Sequence, residues 1–204
     1  MSCFGRNRKL ARSSAASCEA ATGRKPVEAS DMHAAPAIAR PDSFRESMAR
    51  LAATVHIVTA HHEGRRFGMT MTAACSLSVD PMSIIISIKR QTATREAILR
   101  SRRLCLNMLG PGHDDLAIRF SGTLGHRDDA RFEAGDWVCD DDHPPMLDDA
   151  AAALQCELTD VHAFGTHDVM LCTVRQIRLG HRPASLVYAN RRYGTVQHIT
   201  DELV

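Results

Sequence analysis

Three short stretches carry residue types that could do chemistry. Gly165-Thr166-His167-Asp168 brings a flexible backbone, a hydroxyl, an imidazole and a carboxylate to the start of one strand. An imidazole there can bind a small molecule or move a proton near neutral pH; the plain alternative is a structural turn. The second stretch, 68-GMTMTAACSLS-78, alternates Thr70, Thr72, Ser76 and Ser78 with Met71, Ala73 and Cys75. An extended chain would put hydroxyls on one face and small apolar groups on the other. A flat heterocycle could lie against such a strand with a phosphate near its hydroxyls, and a solvated Thr/Ser face is the competing reading. The third, 89-KRQTATRE-96, follows an apolar run and opens a helix, with Lys89 and Arg90 supplying charge and Thr92 and Thr94 hydroxyls. Free amides at a helix start favour an anion, so this is either a phosphate cradle or a capped helix with basic solvent contacts. Asn107 closes the apolar run "LCLNML", where an amide can meet a ring edge or satisfy a turn.

Other chemistries lack support. There is no GxGxxG, GxxxxGK[ST], GxSxG or HExxH pattern, which removes the Rossmann, P-loop, hydrolase-elbow and zincin readings. The seven cysteines form no CxxC pair and the eleven histidines have no ligand spacing, so no metal site is expected. Cys75, Cys105, Cys156 and Cys172 lie in apolar contexts and read as small buried hydrophobes in a reducing compartment. A formal charge of +1 and 4% aromatic residues argue against nucleic acid as partner. No apolar run is long enough to span a membrane, and nothing in the domain suggests export, so a cytoplasmic location is expected.

These stretches must be positioned by a fold. Residues 1–40 are Arg-, Ser- and Ala-rich and poor in acids; too little apolar surface offsets the entropy of ordering, so a disordered tail is expected. The same composition fits a transit peptide. A folded domain is expected over 41–204. Asp42 or Ser43 can cap a helix through "FRESMARLA" that buries Phe44, Met48 and Leu51. "ATVHIVTA", "SIIISI" and "LCLNML" read as strands, "TATREAILRSRR" as a helix capped by Thr92 or Thr94, and "HDDLAIRFSG" as a helix ending at Gly122. After an irregular acidic stretch, "LQCELTDVHA", "THDVMLCTVRQIRL" and "SLVYANRRY" read as three strands. Many strands, few helices and no strand–helix alternation indicate a mostly β protein with a closed or partly closed Greek-key barrel.

Taken in order across residues 43–196, these segments resemble the flavin reductase-like family of FMN-binding split β-barrels. "GMTMTAACSLSVDP", "SIIISIKRQTAT", "LCLNML", Arg131-Phe132 with Trp137 and "PPML", and "FGTHDVMLCTV" carry the resemblance. The Gly-Thr-His version of the last is similar to reductase components of two-component monooxygenases, of the 4-hydroxyphenylacetate hydroxylase and pyrimidine-degradation types. The chain departs from the pattern at Met71, where Ala is usual, at Asp80-Pro81-Met82, at His113 and at His56. The resemblance implies NAD(P)H-dependent reduction of FMN or FAD, NADH and FMN being preferred. It implies a homodimer with the flavin near the interface, and reduced flavin supplied to a separate monooxygenase. It also implies flavin contacts by Thr70, Met71, Thr72, Ala73, Cys75 and Ser76. Lys89, Thr92 and Thr94 would hold the phosphate, Asn107 and Leu109 would contact the ring, and Phe120 and Ser121 would close the pocket. Gly165, Thr166 and His167 would face NAD(P)H, with His167 the catalytic residue. A non-catalytic flavin- or haem-binding sensor on the same barrel is the alternative.

Overall fold

The structure is a computed structural model that describes residues 38–125, 128–140 and 143–197. The tail expected over 1–40 therefore falls almost wholly outside the described residues.

Helix α1, Pro41–Ala49, opens with Pro at its first position, and the Ser43 hydroxyl accepts the Arg40 amide at 3.1 Å. Strands β1 (Ala53–Thr54) and β2 (His56–His62) follow, and β2 pairs with β3 (Arg65–Met71) through the Glu63-Gly64 turn. Both turn residues have positive φ, 50° and 71°, the signs of a type I′ hairpin turn. β4 (Ala74–Val79) and β5 (Met82–Lys89) form the next hairpin. Thr92 then caps helix α2 (Ala93–Ser101), its hydroxyl accepting the Arg95 amide. β6 is Arg103–Met108, and helix α3, Asp114–Ser121, stops at left-handed Gly122, as a C-terminal glycine should do. A 3-10 turn at Asp128–Glu133 and the small pair β7 (Trp137–Asp140) and β8 (His143–Leu147) occupy the acidic stretch. The long hairpin β9 (Ala152–Phe164) and β10 (His167–Leu179) comes next, then β11 (Leu186–Ala189) and β12 (Arg192–Thr195).

The main sheet has seven strands in the order β3-β2-β6-β9-β10-β5-β4. Its two edge strands are consecutive in sequence, with only Thr72 and Ala73 between them. Three residue steps span at most about 10 Å, so the sheet must curl until its edges face each other. No β3–β4 ladder closes the seam, which leaves a barrel split along one line.

Alternate residues divide the interior. Val58 and Ala60, Leu104 and Leu106, Ile84, Ile86 and Ile88, and Met170, Cys172 and Val174 share one core, into which α2 packs Ala97 and Ile98. Val55, Ile57, Cys105 and Leu109 face a second core under α3, built on Leu116, Ala117 and Phe120. Phe120, Phe132 and Trp137 interlock there, with ring centroids 5.0 to 5.4 Å apart.

Four expectations need correction. Phe44, Met48 and Leu51 are 63%, 45% and 59% exposed, and α1 buries no residue. The segment 68–78 is not one strand; it is divided between opposite edges of the sheet. "SLVYANRRY" holds a turn, Asn190-Arg191, because both residues take positive φ and fold the chain into β11–β12. Cys75 is exposed on edge strand β4, while Cys105, Cys156 and Cys172 are buried; burial pushes the Cys156 and Cys172 thiols up to about 12, which leaves them inert hydrophobes.

Candidate functional site

Two cavities flank the entrance to α2, and Gln91 lines both. The larger, about 520 Å³, has Phe67, Gly68 and Met69 of β3 on one wall and Gln91, Thr92, Ala93 and Thr94 on the other; Phe120, Ser121 and Arg131 complete it. Its volume falls in the range of small-molecule sites. Among the described residues, Arg131 is the charged one that lines it; its guanidinium donates to the Gly68 carbonyl at 2.7 Å. The Thr92 hydroxyl donates to the Lys89 carbonyl at 3.0 Å while capping Arg95. The first amides of α2 have no intrahelical acceptor, so a cation, hydroxyls and free amides converge on this cavity. This donor set fits a phosphate monoester. Gly68 is required by contact: a Cβ there would lie 2.7 Å from Phe120 Cε1 and 3.2 Å from Phe132 Cζ.

The second cavity, about 400 Å³, is lined by Lys89, Arg90, Gln91, Arg95, Gly165 and Thr166. Gly165 (φ 56°) and Thr166 form the two-residue turn joining β9 to β10. The Arg90 amide donates to the Thr166 carbonyl at 3.0 Å, and His167 pairs with Lys89 across the β5–β10 ladder. The strand that ends in the basic segment and the strand that begins with His167 are therefore neighbours. The His167 side chain is exposed, its Nδ1 2.9 Å from the Thr166 hydroxyl. The next residue points inward: Asp168 is fully buried, with Oδ2 accepting Arg95 Nε at 2.8 Å and Nη2 at 2.6 Å. Arg90 Nε lies 3.4 Å from Oδ1.

The expected site residues thus do not all meet in one place. Thr92, Thr94, Phe120 and Ser121 line the larger cavity, and Lys89, Gly165 and Thr166 the smaller. Thr70 directs its hydroxyl to the Ala117 carbonyl at 2.6 Å, fastening α3 to β3. Thr72, Ala73, Cys75 and Ser76 are surface positions beside the barrel seam, and Met71 is buried in the first core. Asn107 and Leu109 are fully buried in or beside the second core and line neither cavity. The Asn107 amide donates to the Ile57 carbonyl at 3.1 Å and accepts the Leu147 amide at 2.8 Å; it satisfies buried backbone rather than a ligand. Their expected ring contact is corrected accordingly.

Sequence reasoning passed over Gly68, Gln91, Arg131 and the buried role of Asp168. Period-two alternation held the signal for Asp168, since it shares parity with the core residues Met170 and Cys172. A carboxylate in that register must bring its own cation. Among the described residues no cluster of His, Cys, Asp or Glu is placed to hold a metal. No described helix is long and apolar enough to cross a membrane.

The profile of the flavin reductase like domain matches residues 48–197. An FMN reductase (NADH) RutF 1 of Methylorubrum extorquens is 37% identical over 154 residues, covering 76% of each chain. An FMN reductase (NADH) RutF of Pseudomonas syringae is 36% identical, covering 74% of this chain and 84% of its own. Among solved structures, a flavin reductase domain protein from Arthrobacter superposes with a TM-score of 0.71 at 27% identity, covering 79% of this chain and 99% of its own. A homolog of nitrilotriacetate monooxygenase component B from Mycobacterium thermoresistibile gives 0.70 at 26% identity, covering 76% and 86%.

Proposed function

The chain belongs to the flavin reductase-like family, and from that premise we propose that it is an NADH-dependent flavin reductase. It reduces FMN and releases it to a separate flavin-dependent monooxygenase. The observation that carries this reading is the larger cavity, where Thr92–Thr94, Ser121 and Arg131 present a phosphate-binding donor set beside the backbone of Gly68 and Met69.

When bound, FMN supplies the redox chemistry: a hydride from the nicotinamide C4 is accepted at the flavin N5, and a proton from water completes the reduced flavin. The protein's part is binding, orientation and electrostatics. Arg131, the α2 amides and Thr94 hold the phosphate, and the β3 backbone at Gly68–Thr70 supports the ring system. The exposed strand start at Gly165-Thr166-His167 faces the nicotinamide. Holding both rings in one geometry replaces a bimolecular encounter with an effectively unimolecular one. His167 contacts the nicotinamide side and helps to balance the proton on reduced flavin, while Thr166 holds its Nδ1. Thr72, Ala73, Cys75 and Ser76 contribute from the seam once a second subunit covers them.

A homodimer accounts for that surface. Strand β4 and its turn expose Leu77, Val79 and Met82 at 47%, 88% and 51%, beside a sheet edge, and α1 exposes its apolar face. Apolar edges of this kind are normally covered. The cytoplasm is the compartment we propose for it, because a reducing milieu keeps thiols such as Cys75 and Cys139 free.

The test is NADH oxidation followed at 340 nm, the nicotinamide absorbance, with and without added FMN, FAD or riboflavin. Turnover that rises with free flavin, FMN best, is expected. No turnover with any flavin, together with a tightly retained cofactor, would overturn the reading in favour of a sensor.

A further inference from the structure

We propose that Asp168 is a positioning residue: through Arg95 it holds the first turn of α2 in fixed relation to the strand start at His167, and so sets the flavin wall of the site against the nicotinamide wall. The inference rests on the proposed flavin and nicotinamide walls. It adds what keeps them in register.

The two walls come from different parts of the chain. Thr92 and Thr94 line the larger cavity; Gly165 and Thr166, next to His167, line the smaller. Helix α2 packs on β2 and β3, whereas His167 opens β10, whose neighbours are β5 and β9. The ladders of the sheet fix β10 but do not reach α2, so side chains must set the distance between them. Hydride transfer is sensitive to that distance: the reacting atoms must meet at about 3–3.5 Å, and a misplacement of about 1 Å costs about a hundredfold in rate.

Asp168 supplies the tie. It follows His167, is fully buried, and has the apolar Ile88 and Ala163 as its ladder partners. A carboxylate in such a place is costly unless it is paired. Its pair is Arg95, the third residue of α2, whose Nε and Nη2 both donate to Oδ2, at 2.8 and 2.6 Å. Two bonds from one planar guanidinium fix orientation as well as distance. Arg95 is joined in turn to the flavin wall: its amide donates to the Thr92 hydroxyl at 3.3 Å, and its chain neighbour Thr94 lines the larger cavity. The other carboxylate oxygen, Oδ1, is buried, accepts no hydrogen bond among the described residues, and lies 3.4 Å from Arg90 Nε. The Arg90 amide donates to the Thr166 carbonyl at 3.0 Å. Asp168 thus attracts the chain on both sides of Gln91, the residue that lines both cavities. An apolar side chain would complete this register of β10 as Met170 and Cys172 do, and a buried ion pair adds little net stability over apolar packing. What the pair adds is a fixed geometry between two walls.

The experiment compares the wild-type protein with Asp168→Asn and Arg95→Lys, with thermal unfolding to show that each is folded. Protein saturated with FMN is mixed with excess NADH in the absence of oxygen, and the loss of flavin absorbance is followed through a single turnover. In Asp168→Asn the rate constant is expected to fall about 10–100-fold with its amplitude kept. NADH deuterated at C4 should slow it further, which marks the step as hydride transfer. Arg95→Lys keeps the charge and loses the paired donors, so its rate should fall between. FMN affinity, read by fluorescence quenching, should weaken about fivefold or more in Asp168→Asn, the lower end of what an indirect coupling carries. A pair that only stabilises the fold would lower the amplitude through the unfolded fraction and leave the rate constant and the FMN affinity of folded molecules unchanged. That result in folded Asp168→Asn, or in Arg95→Lys should the first variant not fold, overturns the proposal. The FMN titration needs no turnover. If the wild type binds FMN yet oxidises no NADH, the reductase reading fails by itself, and FMN affinity in the variants still decides whether Asp168 positions α2. A wild type that binds no FMN overturns both.

Discussion

Gly68→Ala tests the packing beneath the proposed flavin site. The added methyl carbon would lie 2.7 Å from Phe120 Cε1 and 3.0 Å from Cδ1, about 1 Å inside normal carbon contact. Relief requires Phe120 to move, yet it is fully buried, with Phe132 at 5.0 Å in T-shaped contact and Trp137 at 5.4 Å. Phe132 is itself 3.2 Å from the new methyl, so the ring cannot retreat toward it. Overpacking a site of this kind costs about 1–3 kcal/mol, which lowers Tm by about 2–12 °C for a chain of this length. The strain is shared with the cavity wall, so FMN binding should weaken as well. Thermal denaturation gives the first quantity and quenching of FMN fluorescence the second. Phe120→Leu removes the ring atoms in the way. The double variant Gly68→Ala/Phe120→Leu should therefore be more stable than the two single losses add up to, by about 1 kcal/mol or more. A Gly68→Ala protein as stable as wild type, or strictly additive losses in the double variant, would refute the steric argument.

Other outcomes follow from the same geometry. Asp168→Ala strands Arg95 in a mostly buried place and should cost about 2–4 kcal/mol in denaturant unfolding; a loss under 0.5 kcal/mol would show that the pair is not structural. His167→Ala should lower kcat/KM for NADH about tenfold, the value of one hydrogen bond to a charged or strongly polar group, with Tm unchanged; equal kinetics would remove the residue from the mechanism. Thr92→Ala loses the α2 cap, about 1 kcal/mol, and should raise KM for FMN while leaving KM for NADH alone. Burial lowers His56 from 6.5 to about 4. Between those values the unfolded chain binds a proton that the native protein refuses, so stability falls as pH drops through that window, by about 3 kcal/mol in all. In His56→Leu that part of the acid sensitivity should vanish, as urea midpoints at pH 7 and pH 4.5 would reveal; an unchanged difference between the two would contradict it.

Much of this was readable before any coordinates, because local rules and global packing agree in most elements. Thr92 before an amphipathic run and Gly122 after one both behave as their types demand. Where reading failed, a distant partner decided. The run 68–78 looks continuous, yet its halves bond to β2 and to β5, strands on opposite sides of the sheet, and nothing local announces that parting. Asn107 resembled a ligand contact because a polar residue closing an apolar strand is ambiguous until the carbonyl of Ile57 and the amide of Leu147 arrive from elsewhere. Arg131 was visible beside Phe132, but its approach to Gly68 spans 63 positions. Phe44, Met48 and Leu51 have the spacing of a buried helical face, and the described residues of one chain do not cover them.

The strand order also bears on synthesis. β9 and β10 lie in the middle of the sheet, between β6 and β5, but are among the last strands made. As the ribosome advances, β3-β2-β6 and the hairpin β4-β5 are complete in sequence while each still offers a bare apolar edge, "LCLNML" on one and "SIIISI" on the other. Only when residue 179 has left the exit tunnel can the long hairpin enter between them and join the halves. Until then the nascent chain is two sticky fragments, the state in which strand edges find wrong partners. For a protein of this topology, the hazard in production is set by translation pace and chaperone supply as much as by the stability of the finished barrel.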